Sequence, residues 1–152
     1  MLKIDEIDLK IIDVLKENCR LSTRKIAKKT LVPIATVYNR IKKLEAERVI
    51  KKYSVVIDNK KVDKPLAAHI LINYDISRWG KESKERLRNE LKKHLTTLKG
   101  VETVDYITGR FDIHLKVRVK DMDELNGLLL DNLRNIPGIG QTESFFVLEE
   151  VK

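Results

Sequence analysis

From Leu66 onward the chain repeats one pattern, and that repeat narrows the fold more than any other feature. "LAAHILINY" (66–74) is rich in branched apolar residues and reads as a strand. "KESKERLRNELKKHLTTL" (81–98) reads as a helix closed by Gly100, and "VETVDYIT" (101–108) as a second strand. The pattern then restarts. "RFDIHLKVRV" (110–119) alternates, with Phe111, Ile113, Leu115, Val117 and Val119 on one face and Asp112, His114, Lys116 and Arg118 on the other. "DMDELNGLLLDNLRN" (121–135) is a helix that Asp121 can cap, and "QTESFFVLEEV" (141–151) is the last strand. Even the helix exits match, "LKGV" at 98–101 and "IPGI" at 136–139. The order β-α-β-β-α-β predicts a ferredoxin-like unit with both helices on one sheet face.

The opposite face needs cover or polarity. With Ile70, Ile72, Phe145 and Val147 turned to the helices, Ala67, Leu71, Phe146 and Leu148 point away. That apolar open face predicts a second copy of the chain, unless the strand register places these residues otherwise.

The first half follows a different rule. Ile7, Ile11, Ile12 and Leu15 recur at helical spacing after Asp5, with Asp8 three residues on in a capping-box position. Ser22 can cap a short second helix with Ile26 and Ala27 inward. A third helix runs from about Ile34 to Glu47, with Val37, Ile41 and Leu44 as its inward stripe. "VIKKYSVVID" then reads as a strand, and "NKKVDKP" as the domain boundary. The expected division is 1–52 helical domain, 53–65 strand and linker, and 66–152 ferredoxin-like domain, an α+β chain.

Charge follows the same division. The net charge is +8, and residues 1–61 carry all of it, with 16 Lys/Arg against 8 Asp/Glu. Residues 62–152 hold 15 of each. Within 20–52 the count is 11 basic to 2 acidic, which suggests a polyanion partner. All six glycines lie after residue 79. No apolar run reaches the roughly 18 residues of a membrane span, no signal peptide opens the chain, and a single cysteine excludes an internal disulfide. A cytoplasmic protein is expected. Charged residues at 36% point to a thermophilic source.

Helices two and three, joined by "KTLVP", have helix-turn-helix dimensions. In that motif the second helix enters the major groove of double-stranded DNA. With Val37, Ile41 and Leu44 inward, the opposite face holds Ala35, Asn39, Lys42, Lys43 and Ala46, flanked by Thr36, Tyr38 and Arg40. Asn39 can bond adenine in a bidentate way, and Thr36 can meet a base or a thymine methyl. Arg40, Lys42 and Lys43 suit phosphates, and Arg20, Arg24, Lys25 and Lys28 would grip the backbone beside them. The competing reading is a basic three-helix bundle with a solvated face.

These motifs resemble the Lrp/AsnC, or feast/famine, family of transcription regulators. Asp5 and Asp8, "ENCRLS", "KIA", "TVYNRIKKLE" and "VIKKY" match its winged-helix-like DNA-binding domain. "VETVDYITGRFDIHLKV" and "IPGIGQTESFFVL" match its effector domain. The resemblance implies a homodimer paired through its sheets and assembling to an octamer. It also implies an amino-acid effector bound near the turn that corresponds to Gly109, Arg110, Phe111 and Asp112, with Thr142 and Ser144 as the hydroxyl pair of the last strand. From the residues alone, Gly109 equally suits a plain hairpin turn, with Asp112 satisfying its amides. The chain departs from the family at Leu31-Val32-Pro33, where Gly-x-Ser is common, and at Arg48 and Lys52, where glycines are frequent. Pro33 suits a helix start, and the lack of glycine is expected to stiffen the unit by lowering unfolded-chain entropy.

A sequence-specific regulator tuned by a small metabolite is therefore expected. Its rivals are an architectural DNA binder without effector and a small metabolic sensor or enzyme on the ferredoxin-like half. No catalytic residues, metal or cofactor are expected: His69, His94 and His114 are scattered without ligand spacing. Cys19 reads as a buried small hydrophobe, and Trp79-Gly80 as a packing or oligomer contact.

Overall fold

The computed structural model describes residues 4–75 and 84–151, and it divides into two compact units, Met1–Ile57 and Asp58–Lys152. Trp79 and Gly80 lie outside the described residues.

The first unit holds α1 (Glu6–Glu17), α2 (Thr23–Thr30) and α3 (Ile34–Ala46). The capping box forms as expected: the Asp8 N–H donates to Asp5 Oδ1 (3.0 Å) and the Asp5 N–H to Asp8 Oδ2 (3.1 Å). The Lys25 N–H donates to Ser22 Oγ at the start of α2 (3.4 Å). Ile11, Ile26, Ala27 and Val37 form the buried centre, with Ile7, Val14, Leu15, Leu21, Val32 and Ile41 packed around it. The apolar stripes of three short helices thus meet at one point, which is what holds helices too short to persist alone.

The turn between α2 and α3 is made without glycine. Leu31 adopts φ 56°, ψ 34° and lets the Val32 N–H reach the Ala27 carbonyl (3.2 Å). Pro33 then sets φ at −55° for the start of α3, with no side-chain cap. Arg48 makes a second left-handed turn after α3, at φ 55°. Two of the three departures from the family pattern, at Leu31 and Arg48, therefore keep a conformation that favours glycine, and Lys52 does not. An L side chain there costs roughly 1–2 kcal/mol. The expected stiffening is offset at these two positions.

Residues 49–58, expected as a strand, pair with no other strand among the described residues. The segment is tied down by side chains instead: Tyr53 Oη donates to Glu45 Oε1 on α3 (2.7 Å). Cys19 is half-buried rather than buried, with Sγ 3.6 Å from the Ser54 carbonyl.

The second unit contains β1 (Leu66–Tyr74), α4 (Lys84–Thr97), β2 (Val101–Tyr106), β3 (Ile113–Val119), α5 (Met122–Asn126) and β4 (Ile139–Phe146). The sheet is antiparallel throughout, in the order β2-β3-β1-β4. Ile70, Ile72, Ile113, Leu115 and Val117 cover one face and pack on Leu87, Leu91 and Leu95 of α4 and on Leu125 of α5. Gly100 closes α4 at φ +91°, where a Cβ would lie 3.1 Å from the Arg118 carbonyl oxygen.

Two elements differ from expectation. The second helix is not one α-helix: after α5 the chain widens into a π-helix over Gly127–Asn132 and tightens into a 3₁₀ turn over Leu133–Asn135. The i→i+5 ladder of a π-helix stacks residues five apart, so Leu128 and Leu133 reach the core together. In β4, Ile139 faces the helices, and simple alternation would carry Phe145 with it. The register instead pairs Ile72 with Thr142 but Tyr74 with Ile139, so β4 holds one extra residue. That bulge reverses every later side chain. Phe145 lies opposite His69 on the open face, and Phe146 opposite buried Ala68 on the helix face, the reverse of the expected arrangement.

Candidate nucleic-acid interface and effector turn

Burying Val37 and Leu44 turns Ala35, Tyr38, Asn39, Lys42, Lys43 and Ala46 of α3 to solvent. Arg20, Arg24, Lys25 and Lys28 are exposed on the same unit. Thr36 is half-buried. Lys42 Nζ lies 4.7 Å from the centre of the Tyr38 ring, and the Tyr38 side chain holds the Lys42 ammonium above the usual lysine range. The outward face is therefore cationic and carries one neutral amide, Asn39, between small and aromatic neighbours.

Arg40, expected on a phosphate, points elsewhere. Its Nη1 donates to Asp5 Oδ2 (2.6 Å) and to Asp8 Oδ1 and Oδ2 (3.2 and 3.1 Å). The guanidinium thus docks on the capping box of α1, and α1 is joined through it to the middle of α3. The carboxylates supply a fixed anion within the fold, and Nη1 is fully engaged there.

The six residues expected around the effector turn are only partly gathered. Gly109 takes φ +126°, and a Cβ there would meet nothing within 4 Å. Arg110 is exposed beside it and donates to Glu143 Oε1 (2.9 Å). Phe111 is buried beneath, 5.3 Å from the Arg110 guanidinium. Asp112 Oδ2 accepts from the Tyr74 N–H (2.9 Å), and the Asp112 N–H donates to the Ile72 carbonyl (3.0 Å). Asp112 therefore seals the end of the β1–β3 ladder. Thr142 and Ser144 pair with Ile72 and Ile70 on the helix face, whereas Glu143 pairs with Leu71 on the open face.

Two participants escaped the sequence reading. Glu143 enters only through the β4 bulge, which no residue pattern announced. His69 and His114, read as scattered, lie 2.7 Å apart between Nδ1 and Nε2. Strand alternation had placed His114 on the polar face, but pairing it with His69 needed the register. Among the described residues no group of three or more His, Cys, Asp or Glu could hold a metal ion, and no helix is long and apolar enough to cross a membrane.

A helix-turn-helix with a cationic outward helix, followed by a ferredoxin-like unit with an open turn, defines a two-unit DNA-binding regulator. Comparison makes the class specific. Residues 4–45 match the model of the AsnC-type helix-turn-helix domain, and residues 81–152 that of the Lrp/AsnC ligand binding domain. A Pyrococcus horikoshii HTH-type transcriptional regulator is 32% identical, covering 98% of this chain and 95% of its own. The leucine-responsive regulatory protein of Haemophilus influenzae is 30% identical over 98% of this chain and 86% of its own. The L-Met complex of a Neisseria meningitidis transcriptional regulator superposes with a TM-score of 0.86 at 25% identity, covering 99% of this chain and 93% of that one. The chain belongs to the Lrp/AsnC family: it is a DNA-binding transcriptional regulator with a ligand-binding domain, not an enzyme.

Proposed function

We propose that this regulator binds DNA as a homodimer, reads sequence through α3, and is tuned by an amino acid, with octamers as its higher assembly. The outward face of α3 carries the proposal. Asn39 reads a base, Ala35 and Thr36 allow close approach, and Lys42 and Lys43 take phosphates beside Arg20, Arg24, Lys25 and Lys28. The uncapped N–H groups at the start of α3 suit a phosphate. Tyr38 holds Lys42 in place. Arg40 positions the helix rather than meeting DNA.

Self-association uses the open sheet face. Leu71 and half-exposed Phe145 share it with Lys116, Glu102 and Glu143, so a two-fold pairing can set acids against bases as well as cover apolar surface, whereas Ala67 and Arg118 on the same face are already buried within the chain. Two recognition helices then require a pseudo-palindromic operator.

The effector site is the Gly109–Asp112 turn with the rim of β4. Arg110 and Glu143 present opposite charges side by side, which suits the carboxylate and ammonium of an amino acid. Because β4 is an edge strand, a ligand at its rim also reaches Thr142 and Ser144. The bound L-Met of the Neisseria regulator supports this ligand class.

Selection from random duplexes tests the DNA reading: enrichment of a two-fold-related motif supports it, and uniform recovery overturns it. A melting screen against the amino acids, with mass measured in solution, tests effector and assembly. A stabilising amino acid and a dimer or larger species are expected. No shift, or a monomer, sinks that part.

A further inference from the structure

The open sheet face carries a histidine pair that neither DNA reading nor the effector turn uses. His69 on β1 and His114 on β3 are diagonal neighbours, since His69 lies opposite Lys116 and His114 opposite Leu71. Both are half-buried. His69 Nδ1 and His114 Nε2 are 2.7 Å apart, while the ring centres are 4.9 Å apart and the planes differ by 17°. Nitrogens so much closer than the ring centres mean that the rings meet edge to edge. The lone pair of one nitrogen must then face an N–H of the other, because two lone pairs or two N–H groups would repel. The far nitrogen of His114, Nδ1, lies 3.6 Å from Asp105 Oδ2, directly across the β2–β3 ladder. Asp105, His114 and His69 therefore form one line.

A metal ion does not fit between the rings. Two in-line bonds of about 2.0–2.1 Å would need nitrogens about 4 Å apart. A proton does fit. With one proton added, His114 is an imidazolium that donates to Asp105 on one side and to neutral His69 on the other. With a second, two cationic N–H groups confront each other at the same spacing.

The surroundings also oppose a second proton. Lys116 and Arg118 of β3 flank the pair, with Glu102 of β2 and Glu150 of the C-terminal segment bound to both. β1 adds only neutral Ala67 and Leu71, and β4 adds Phe145 opposite His69 and Glu143 opposite Leu71. Burial, then His114, then Lys116 hold His69 below the usual imidazole range, and Glu150 opposes them.

We propose that the His69–His114 pair is a binding site for one proton, and that a second proton parts the rings and weakens the self-association of the face that carries them. The second half rests on the dimer reading above. The sign follows from the depressed histidine. The unfolded chain takes the proton near pH 6.5, before the folded face does. Stability is therefore full above that pH and declines as pH falls below it; assembly declines with it only through the parting of the rings on the pairing face.

The test uses the full chain. The ring resonances of His69 and His114 are titrated by NMR. Mass in solution is measured at about pH 7.5 and about pH 5.5, which bracket an ordinary histidine. His69 should take up its proton below the usual imidazole range, and the His114 ring should respond in the same step because the two nitrogens share one contact. The dimer dissociation constant should be measurably higher at the acid condition than at the neutral one. His69→Gln and His114→Gln should each leave the other ring with a single step, and should remove the acid effect on mass. Independent titration of the two rings overturns the proton site. Paired titration with an unchanged dimer overturns its link to assembly. A monomer at both pH values overturns the dimer reading, and the ring titration still decides the site.

Discussion

Arg40 Nη1 lies 3.1 Å from Asp8 Oδ2, and Asp8 is only 2% exposed. A buried carboxylate needs a partner, and Arg40 supplies one from the middle of α3. The same nitrogen holds Asp5. The capping box thus does two things: it starts α1 and it anchors α3.

Removing the Arg40 guanidinium separates the two roles open to a helix arginine. Arg40→Gln should lower the melting temperature and weaken DNA binding, yet leave the slope of log K against log salt unchanged. A lost phosphate contact would instead reduce that slope by about 0.9. Arg40→Lys should rescue only part of the loss, since one ammonium matches two carboxylates poorly. A reduced slope in Arg40→Gln would return Arg40 to the DNA.

Acid should attack the same joint. The Asp8 N–H and, after it, the Arg40 guanidinium hold the Asp5 carboxyl below its usual value of 3.8. Its contribution is present above that value and is lost as pH falls through the lower, folded one. Asp5→Asn should flatten the acid limb of the stability curve below about pH 4. An unaltered acid limb would show that this carboxyl does not couple.

The left-handed turns give a third outcome. Leu31 is 91% exposed, so replacing it removes almost no packing. Glycine relieves roughly 1–2 kcal/mol of backbone strain, against about 0.4–1 kcal/mol of added unfolded-chain entropy. Leu31→Gly should therefore stabilise the chain by about 0.5–1 kcal/mol in denaturant titration, and Leu31→Ala should not, because alanine keeps the Cβ. Equal effects from the two would show that backbone strain is absent.

Specificity and affinity should divide along α3. Asn39→Ala should relax selection at one base position, a loss of about 1–3 kcal/mol against the wrong base. Lys43→Ala should weaken every sequence alike and lower the salt slope by about 0.9. A uniform loss from Asn39→Ala would mean that another residue reads the groove.

What the sequence could announce depended on whether the signal was local. Helical spacing around Ile11, Val37 and Leu44 and the alternation of Ile113 to Val119 are periodic, and each element formed where its period lay. The β4 bulge is set by how Ile139 and Thr142 meet Tyr74 and Ile72, which no single segment encodes. That one inserted residue moved Phe145 and Glu143 to the open face. The outward face of α3 was legible because burial of Val37 fixes what lies opposite. The direction of Arg40 was not, because a long side chain follows the nearest carboxylate and Asp8 is 32 residues away.

Asp112 carries the last prediction, because its carboxylate already has a structural task. Oδ2 accepts from the Tyr74 N–H at 2.9 Å, so Asp112→Ala removes a backbone partner as well as a charge. That variant should lose about 1–3 kcal/mol whether or not an effector binds nearby. Asp112→Asn is the cleaner probe, since its amide oxygen can keep the Tyr74 bond while the charge is gone. If the effector's ammonium meets Asp112, the asparagine variant should keep its melting temperature but lose the stabilisation given by the amino acid. If Glu143 supplies the charge instead, Asp112→Asn should respond as the native chain does, and Glu143→Gln should lose the response. Melting curves of the two variants, with and without the stabilising amino acid from the screen, assign the carboxylate. An unchanged response in both would move the effector away from this turn.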